Sequence, residues 1–193
     1  MGNLASLQNA LESINVDSKI ISAPIELNSQ DKLILPGVGA FGYAIKQLEI
    51  SGLNEFIIKA ALAQIKILGV CLGMQLLFDS SSEFGLHSGL KLLPGKVLSL
   101  NLAASNVKIP KIGWYAFSDL KTHVLTTDLV KESFFYYLHS FFCPVDPKFT
   151  IASSDYGLEH SVISVYNNIA GVQFHPEKSG NAGLILLRNF SAW

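Results

Sequence analysis

The chain has 193 residues, which is enough for one domain with a sizeable core. Its formal net charge is −1 without a dense basic cluster, which argues against nucleic acid as a partner because phosphate binding needs several converging cations. Hydrophobic residues make up 49% and charged residues 15%, so either much of the chain is buried or a partner covers part of its surface.

The first half of the chain alternates helical and strand patterns. Leucines at 4, 7 and 11 and an isoleucine at 14 recur at helical spacing and predict an amphipathic helix. The elements predicted after it are strands at 19–22 and 32–37, helices at 40–48 and 54–63, a strand at 65–70 and a helix at 72–78. This alternation predicts a parallel sheet covered by helices on both faces.

After about residue 85 the pattern changes to short β-rich segments separated by turn residues. These segments occupy residues 89–100, 134–142, 149–154, 161–166 and 169–175, and a last helix is predicted at 182–190. The chain shows no repeat and no obvious linker. We therefore predict a single α/β domain over residues 1–193 with a β-rich second half.

Membrane insertion and secretion are not expected. Residues 55–78 are apolar enough to suggest a span, but Lys59 and Lys66 interrupt them, and a spanning helix needs about 20 residues with few or no charges. Two cysteines, Cys71 and Cys143, do not make a disulfide framework, and no secretory leader precedes the first helix. A cytoplasmic protein without membrane contact is the expectation.

The segment 69–73, GVCLG, has the form G-x-C-x-G between an apolar strand and a helix. This is the layout of a nucleophile elbow, in which a tight turn exposes the nucleophile and requires small neighbours. The following helix directs its N–H groups at the sulfur, and the amide of Leu72 is placed to donate to an oxyanion. A buried structural cysteine stays open as the alternative, because free cysteine is among the most buried residue types.

A thiol nucleophile needs a base, and the base needs an orienting group. Of the five histidines, only His175 lies in a compact polar cluster directly after an apolar strand, GVQFHPEKSG. Glu177, beyond the stiffening Pro176, would bind one ring nitrogen while the other faces Cys71. A surface turn is the alternative for this cluster, but the two clusters together indicate thiol chemistry more strongly than either alone.

GVCLGMQ with a distal VQFHPEKS resembles the class I, triad-type glutamine amidotransferases. Three further segments, at 35–42, 73–85 and 136–142, are similar to the glutaminase-subunit family of imidazole glycerol phosphate synthase. The resemblance extends from residue 2 to the last helix. It implies a three-layer, flavodoxin-like α/β fold with a mainly parallel central sheet. The sequence contains no convincing metal cluster or nucleotide-phosphate loop, so we expect no cofactor and no metal.

The resemblance implies that the chain hydrolyses L-glutamine to glutamate and ammonia through a cysteine thioester. Cys71 would be the nucleophile, His175 the acid and base, and Glu177 the orienting carboxylate. The oxyanion hole would come from the backbone of Gly37, Val38 and Gly39 together with that of Leu72. The substrate would be held by Gln75, by Glu83 at its α-amino group, and by the segment His139, Ser140 and Phe141. The remaining Cys143, His87, His123 and His160 match no catalytic position and are expected to be core or surface residues.

The family passes its ammonia to a (β/α)8-barrel cyclase, which implies a heterodimer active in histidine biosynthesis. Residues 2–4 and 110–117 match segments near the active-site edge that faces this partner. Trp114 and Tyr115 in the second segment suit an interface, although aromatic residues in such a turn are equally good core.

The chain departs from the family pattern in three places. The family has a strand ahead of the segment that opens this chain, so we expect the natural start upstream of Met1 and, without that strand, unpaired backbone groups and an apolar slot. Lys111, Ile112 and Tyr115 differ from the PHMGWN pattern typical of the histidine-pathway subunit, and Phe141 and Phe142 stand where tyrosine is common. A paralogous subunit serving a surface-sugar amidation synthase, a stand-alone thiol hydrolase and a non-catalytic regulatory subunit therefore stay open as alternatives.

Overall fold

The computed structural model describes residues 4–103 and 107–193. The helices are α1 (Leu4–Ser13), α2 (Phe41–Ile50), α3 (Leu53–Leu62), α4 (Leu72–Leu76), α5 (Leu100–Ala103) and α6 (Gly180–Ala192). The strands are β1 (Lys32–Gly37), β2 (Lys66–Cys71), β3 (Ser80–Ser81), β4 (His87–Ser88), β5 (Lys96–Ser99), β6 (Lys111–Tyr115), β7 (Asp119–Leu120), β8 (Phe135–His139), β9 (Phe141–Pro144), β10 (Thr150–Asp155), β11 (Glu159–Tyr166) and β12 (Ile169–Val172). Short 3₁₀ turns occur at Val124–Thr126 and Pro176–Lys178.

The sheet is mixed, and its main path runs β1-β2-β12-β11-β9-β5-β3-β4. β1, β2 and β12 are parallel, β11 and β9 continue the sheet antiparallel, and β3 pairs parallel with β5. β6 and β8 form a separate antiparallel ribbon. The α/β class and the β-rich second half are confirmed, and the parallel part of the sheet carries the cysteine.

Helices cover both faces of the parallel strands, as the alternating pattern predicts. On one face, Leu7 of α1 and Leu187 of α6 belong to the same core cluster as Leu68 of β2. On the other face, Ile57 of α3 belongs to a second cluster with Ile67 of β2. Because successive strand side chains point to opposite faces, β2 contributes to both cores and is held rigidly between them.

The prediction of a strand at 19–22 is wrong. Residues 14–31, between α1 and β1, form neither helix nor strand. An apolar run becomes a strand only when a neighbouring backbone pairs with it, and within the described residues β1 pairs with β2 alone. A groove of about 780 Å³ is lined by this segment and by β1. That the natural start lies upstream of Met1 stays a prediction.

The other helices and strands predicted in the first half match the structure to within two residues, with α4 ending at Leu76 rather than at residue 78. Of the β-rich segment predicted at 89–100, only residues 96–99 form a strand, β5. The segment 134–142 contains two strands, β8 and β9, which are separated by Ser140. In the two described ranges no helix has both the length and the apolar character needed to cross a membrane.

Candidate active site

Cys71 is the last residue of β2 and directly precedes α4. Its backbone has φ 55° and ψ −110°, a region that residues other than glycine rarely adopt. A Cβ on Gly73 would overlap the backbone oxygen of Leu35, and one on Gly69 would lie 2.6 Å from the oxygen of Gly73. The two flanking glycines are therefore required by close packing, and the predicted strand–turn–helix is present.

His175 and Glu177 form a buried pair beside this turn. The His175 Nδ1 and Glu177 Oε1 atoms are 2.9 Å apart, and the two side chains are only 3% and 2% exposed. A carboxylate accepts hydrogen bonds only, so the proton of this contact lies on Nδ1 and the second ring nitrogen is available to the sulfur. The backbone N–H of His175 donates to the Tyr136 carbonyl at 2.9 Å, which fixes the start of the turn.

The Cys71 sulfur is a hydrogen-bond partner of the His175 imidazole. Burial lowers the pKa of His175, but the hydrogen bonds to Cys71 and Glu177 and the charges of these two groups outweigh burial and raise it to about 9. The imidazole therefore holds a proton next to the sulfur at neutral pH. It can act as an acid toward a leaving group, as in other thiol and serine hydrolases.

Little space remains around the His175–Glu177 pair. A cavity of only about 10 Å³ remains among His175, Glu177 and their neighbours Leu7, Gly37 and Val70. On another side, the Cys71 thiol lies 3.8 Å from the carbonyl oxygen of Leu138 in β8. The sulfur is thus enclosed by β1, β8 and the turn that carries the histidine.

The predicted oxyanion segment lies beside the nucleophile. In the parallel pairing of β1 with β2, Gly37 is the register partner of Cys71. Val38 is 49% exposed, and Gly39 has φ 101° with open space around it. Glycine at this φ leaves the peptide free to reorient at low cost, which an adjustable N–H donor requires. Leu72, the first residue of α4, lies next to this segment, since a Cβ on Gly37 would be 3.0 Å from the Cβ of Leu72.

Four of the five predicted substrate residues meet at the corner between β8 and β9. The Gln75 Nε2 group donates to the Phe141 carbonyl at 3.0 Å, and the His139 ring, through Nδ1, lies 2.8 Å from the same oxygen. Ser140 forms the corner itself. The carbonyl of Phe141 therefore ties the nucleophile helix to the ribbon strand.

Glu83 lies elsewhere in the fold. Its Oε2 atom accepts a hydrogen bond from the backbone N–H of Phe41 at 2.6 Å, at the first residue of α2. A carboxylate is stabilised at a helix start, so this contact has a structural value of its own. Its role with the substrate's α-amino group stays a prediction.

Sequence reasoning missed Gln173. Its side chain is fully buried, and its Oε1 atom accepts from Gln75 Nε2 at 3.0 Å. It thereby connects the nucleophile helix to the strand that leads to His175. The available signal was a single amide in an otherwise apolar strand, GVQF.

The other titratable groups behave as core or surface residues. Burial raises the pKa of the Cys143 thiol well above its usual value, which makes it a poor nucleophile. His160 is fully buried, His123 caps a 3₁₀ turn through Leu125, and His87 is half-buried. Within residues 4–103 and 107–193, no group of three or more metal-ligating side chains converges.

A family model described as glutamine amidotransferase class-I matches residues 1–192. The chain belongs to the class I glutamine amidotransferase family. It is 43% identical to a Sulfurimonas denitrificans protein and 41% identical to a Helicobacter hepaticus protein, each named imidazole glycerol phosphate synthase subunit HisH. These matches cover 100% and 98% of this chain and 94% and 93% of the relatives.

Solved structures share the fold at lower identity. PurLQS from Thermotoga maritima matches with a TM-score of 0.73 at 19% identity, covering 98% of this chain and 92% of that chain. The glutaminase domain of Trypanosoma brucei CTPS matches with a TM-score of 0.62 at 14% identity, covering 99% and 89%. The family and fold class predicted from the sequence are confirmed.

Proposed function

We propose that this chain is the glutaminase subunit of an imidazole glycerol phosphate synthase, with Cys71, His175 and Glu177 as its catalytic triad. The observation that carries the proposal is the buried hydrogen-bonded series from sulfur through imidazole to carboxylate on a strained elbow. Relatives about 40% identical over nearly their whole length and carrying that subunit's name support the pathway.

The geometry assigns each group a step. The Cys71 sulfur attacks the carboxamide carbon of glutamine, and the electron pair of the C=O bond moves onto oxygen as the tetrahedral intermediate forms. His175 gives its proton to the nitrogen, the C–N bond breaks, and ammonia leaves a glutamyl thioester. Water then attacks the thioester, His175 accepts its proton, and glutamate is released while the thiol is restored.

The oxyanion of both intermediates requires donors beside the sulfur. The N–H of Leu72 at the start of α4 is one candidate, and the backbone of residues 37–39 supplies the second. One such donor contributes about 10²–10³ in turnover. Because Gly39 has open space around it, we propose that the second donor turns inward only when a partner covers this strand.

An exposed apolar surface adjoins the site. The outer face of the β6–β8 ribbon carries Ile112 and Trp114, each 51% exposed, and Leu138, which is 40% exposed and whose carbonyl faces the sulfur. Ile112 and Trp114 lie in the segment 110–117, for which the resemblance implies a partner-facing position; of residues 2–4, Gly2 and Asn3 lie outside the described residues. We propose that a (β/α)8-barrel cyclase docks here as a heterodimer and receives the ammonia.

Trp114→Ala is expected to weaken binding of the cyclase about 30-fold, since a buried aromatic anchor contributes roughly 2 kcal/mol or more at such interfaces. The centroids of the Trp114 and Tyr136 rings are 6.0 Å apart in an edge-to-face contact, which holds the Trp114 ring in place on the ribbon. Isothermal titration of the two subunits measures the effect. Leu62→Ala, at an exposed residue at the end of α3, is the matched control and should bind normally. Equal affinities for the two variants would place the interface elsewhere.

The activity test is ammonia release from glutamine, measured with and without the cyclase from the same genome. We expect stimulation of about 10²-fold, the size of one added oxyanion donor. Partner-independent turnover of other γ-glutamyl compounds would instead indicate a stand-alone thiol hydrolase. Activation only by a sugar-amidating synthase would assign this chain to that synthase instead of to histidine biosynthesis. No turnover with either partner would indicate a regulatory subunit.

A further inference from the structure

Gln173 is a fully buried amide between β12 and the turn that begins at His175. Its backbone N–H donates to the Val162 carbonyl of β11 at 3.0 Å, which keeps the main chain at this position in the sheet. The Oε1 atom of its side chain lies 3.0 Å from the Nε2 atom of Gln75. Amide side chains are mostly exposed in proteins, because burial removes their hydration.

The Phe141 carbonyl determines which end of the Gln75 amide points toward it. This oxygen lies 3.0 Å from the amide, and a carbonyl oxygen can only accept, so the end that faces it is the Nε2 group. The second N–H of the same group is then directed at Gln173, which must offer its oxygen. Both N–H donors of Gln75 are therefore used inside the protein, and the Oε1 atom of Gln75 takes part in neither contact.

The Gln173 amide is satisfied at one end only. Its Nε2 group is buried and has no hydrogen-bond partner within residues 4–103 and 107–193. A buried donor without a partner destabilises a protein, and such groups are rare in folded chains. Gln173 is thus a poor packing residue, and the favourable contact that its amide makes is the one with Gln75.

The Gln75 amide belongs to the helix that follows the nucleophile. Gln75 is four residues after Cys71, a spacing that places two side chains on the same side of a helical turn. The Phe141 carbonyl also contacts the His139 ring, so the amide is tied to the corner that is proposed to hold the substrate. An amide oxygen in this place can accept from an N–H group of bound glutamine, whereas the N–H end of the amide cannot.

We propose that Gln173 is a positioning residue for glutamine binding: its oxygen fixes the plane of the Gln75 amide so that the Gln75 oxygen is presented to the substrate. The inference rests on the proposed function, because it assigns Gln75 to the glutamine site. The contact with Phe141 alone would let the amide swing about a single hydrogen bond, whereas two contacts on one Nε2 group fix its plane. The triad makes no contact with this pair, so the effect of Gln173 should appear in KM and not in kcat.

The first test compares Gln173→Met with wild type as complexes with the cyclase. Methionine has about the same length and only a weak acceptor. The KM for glutamine should rise about tenfold, the size of one weakened hydrogen bond, while kcat changes less than about threefold. An unchanged KM, or a loss confined to kcat, would overturn the proposal.

Asn168→Leu is the matched control for the loss of a buried amide. The Asn168 side chain donates to the Ala61 and Ile65 carbonyls just before β12, at the opposite end of that strand from Gln173. Its replacement should lower the thermal unfolding midpoint and leave the KM for glutamine at the wild-type value. Equal rises of KM in Asn168→Leu and Gln173→Met would mean that Gln173 is structural only.

A double-mutant cycle tests whether Gln173 acts through Gln75. In a Gln75→Met background, Gln173→Met should raise KM by less than about twofold more, because the amide that Gln173 positions is already absent. A further tenfold rise would contradict the proposal, since Gln173 would then act by another route.

A third readout does not depend on turnover. In ¹⁵N-labelled protein, the side-chain amide signals of Gln75 are identified by their loss in Gln75→Met. Their hydrogens should exchange with water about tenfold faster in Gln173→Met than in wild type. Equal exchange rates would refute the positioning role, even if ammonia release is normal. Failure of the proposed function would appear separately, as absent turnover by a wild-type complex in which the Gln75 amide is protected.

Discussion

Replacing Cys71 with alanine is expected to lower ammonia release from glutamine by about 10⁴-fold or more, since loss of the nucleophile leaves only binding and oxyanion contributions. The fold should survive, because the short-range contacts of the sulfur are with two polar groups, the His175 imidazole and the Leu138 carbonyl. Turnover is measured in the presence of the cyclase, and folding by circular dichroism.

Cys143→Ala is the matched control for this experiment. Cys143 is equally buried, lies in β9, and belongs to the core cluster on the opposite face of the sheet. The Cys143→Ala substitution should lower the stability of the protein slightly and leave turnover near the wild-type value. Loss of activity in Cys143→Ala with retention in Cys71→Ala would reverse the assignment of the nucleophile.

Gly73→Ala is expected to destabilise the protein by about 3 kcal/mol or more, because overpacking against backbone costs this much when neither side can retreat. The new Cβ would overlap the Leu35 oxygen, so β1 and the elbow would have to separate. Gly37 and the rest of the oxyanion segment would move with β1. Urea unfolding measures the loss, and surviving folded protein should be nearly inactive.

Gly180→Ala separates steric cost from conformational cost. Gly180 has φ 56°, but a Cβ there would meet no atom within 4 Å. Its substitution should therefore cost only about 1 kcal/mol from the backbone conformation and leave activity intact. If Gly73→Ala is no more destabilising than Gly180→Ala, close packing is not what fixes glycine at the elbow.

The elbow and its base were predictable because both are local in sequence. The glycines at 69 and 73 indicate by themselves that the turn has no room for side chains at these positions. His175 and Glu177 are only two residues apart in the sequence, so their contact could be expected from the sequence alone. The contact between the two clusters follows from one further fact, that β2 and β12 are parallel neighbours in the sheet. Alternating helices and strands were enough to suggest such an arrangement.

Other features depend on what lies across space, which local patterns do not contain. Residues 19–22 had a strand pattern, but no described strand pairs with them. Lys111 differed from the family pattern, yet nothing in the sequence showed that it is fully buried among tyrosine rings. Gln173 pairs with Gln75 across 98 positions of chain, and only the folded sheet brings the two amides together.

Of the two cysteines, Cys71 is the one whose sulfur contacts the His175 imidazole and is therefore expected to be activated by it. The most direct measurement is peptide mapping by mass spectrometry after exposure of the cyclase complex to an electrophilic glutamine analogue, with wild type and His175→Asn in parallel. One adduct is expected, on the peptide that contains Cys71, and labelling should be much slower in His175→Asn. Modification of Cys143 instead, or equal labelling rates in both proteins, would contradict it.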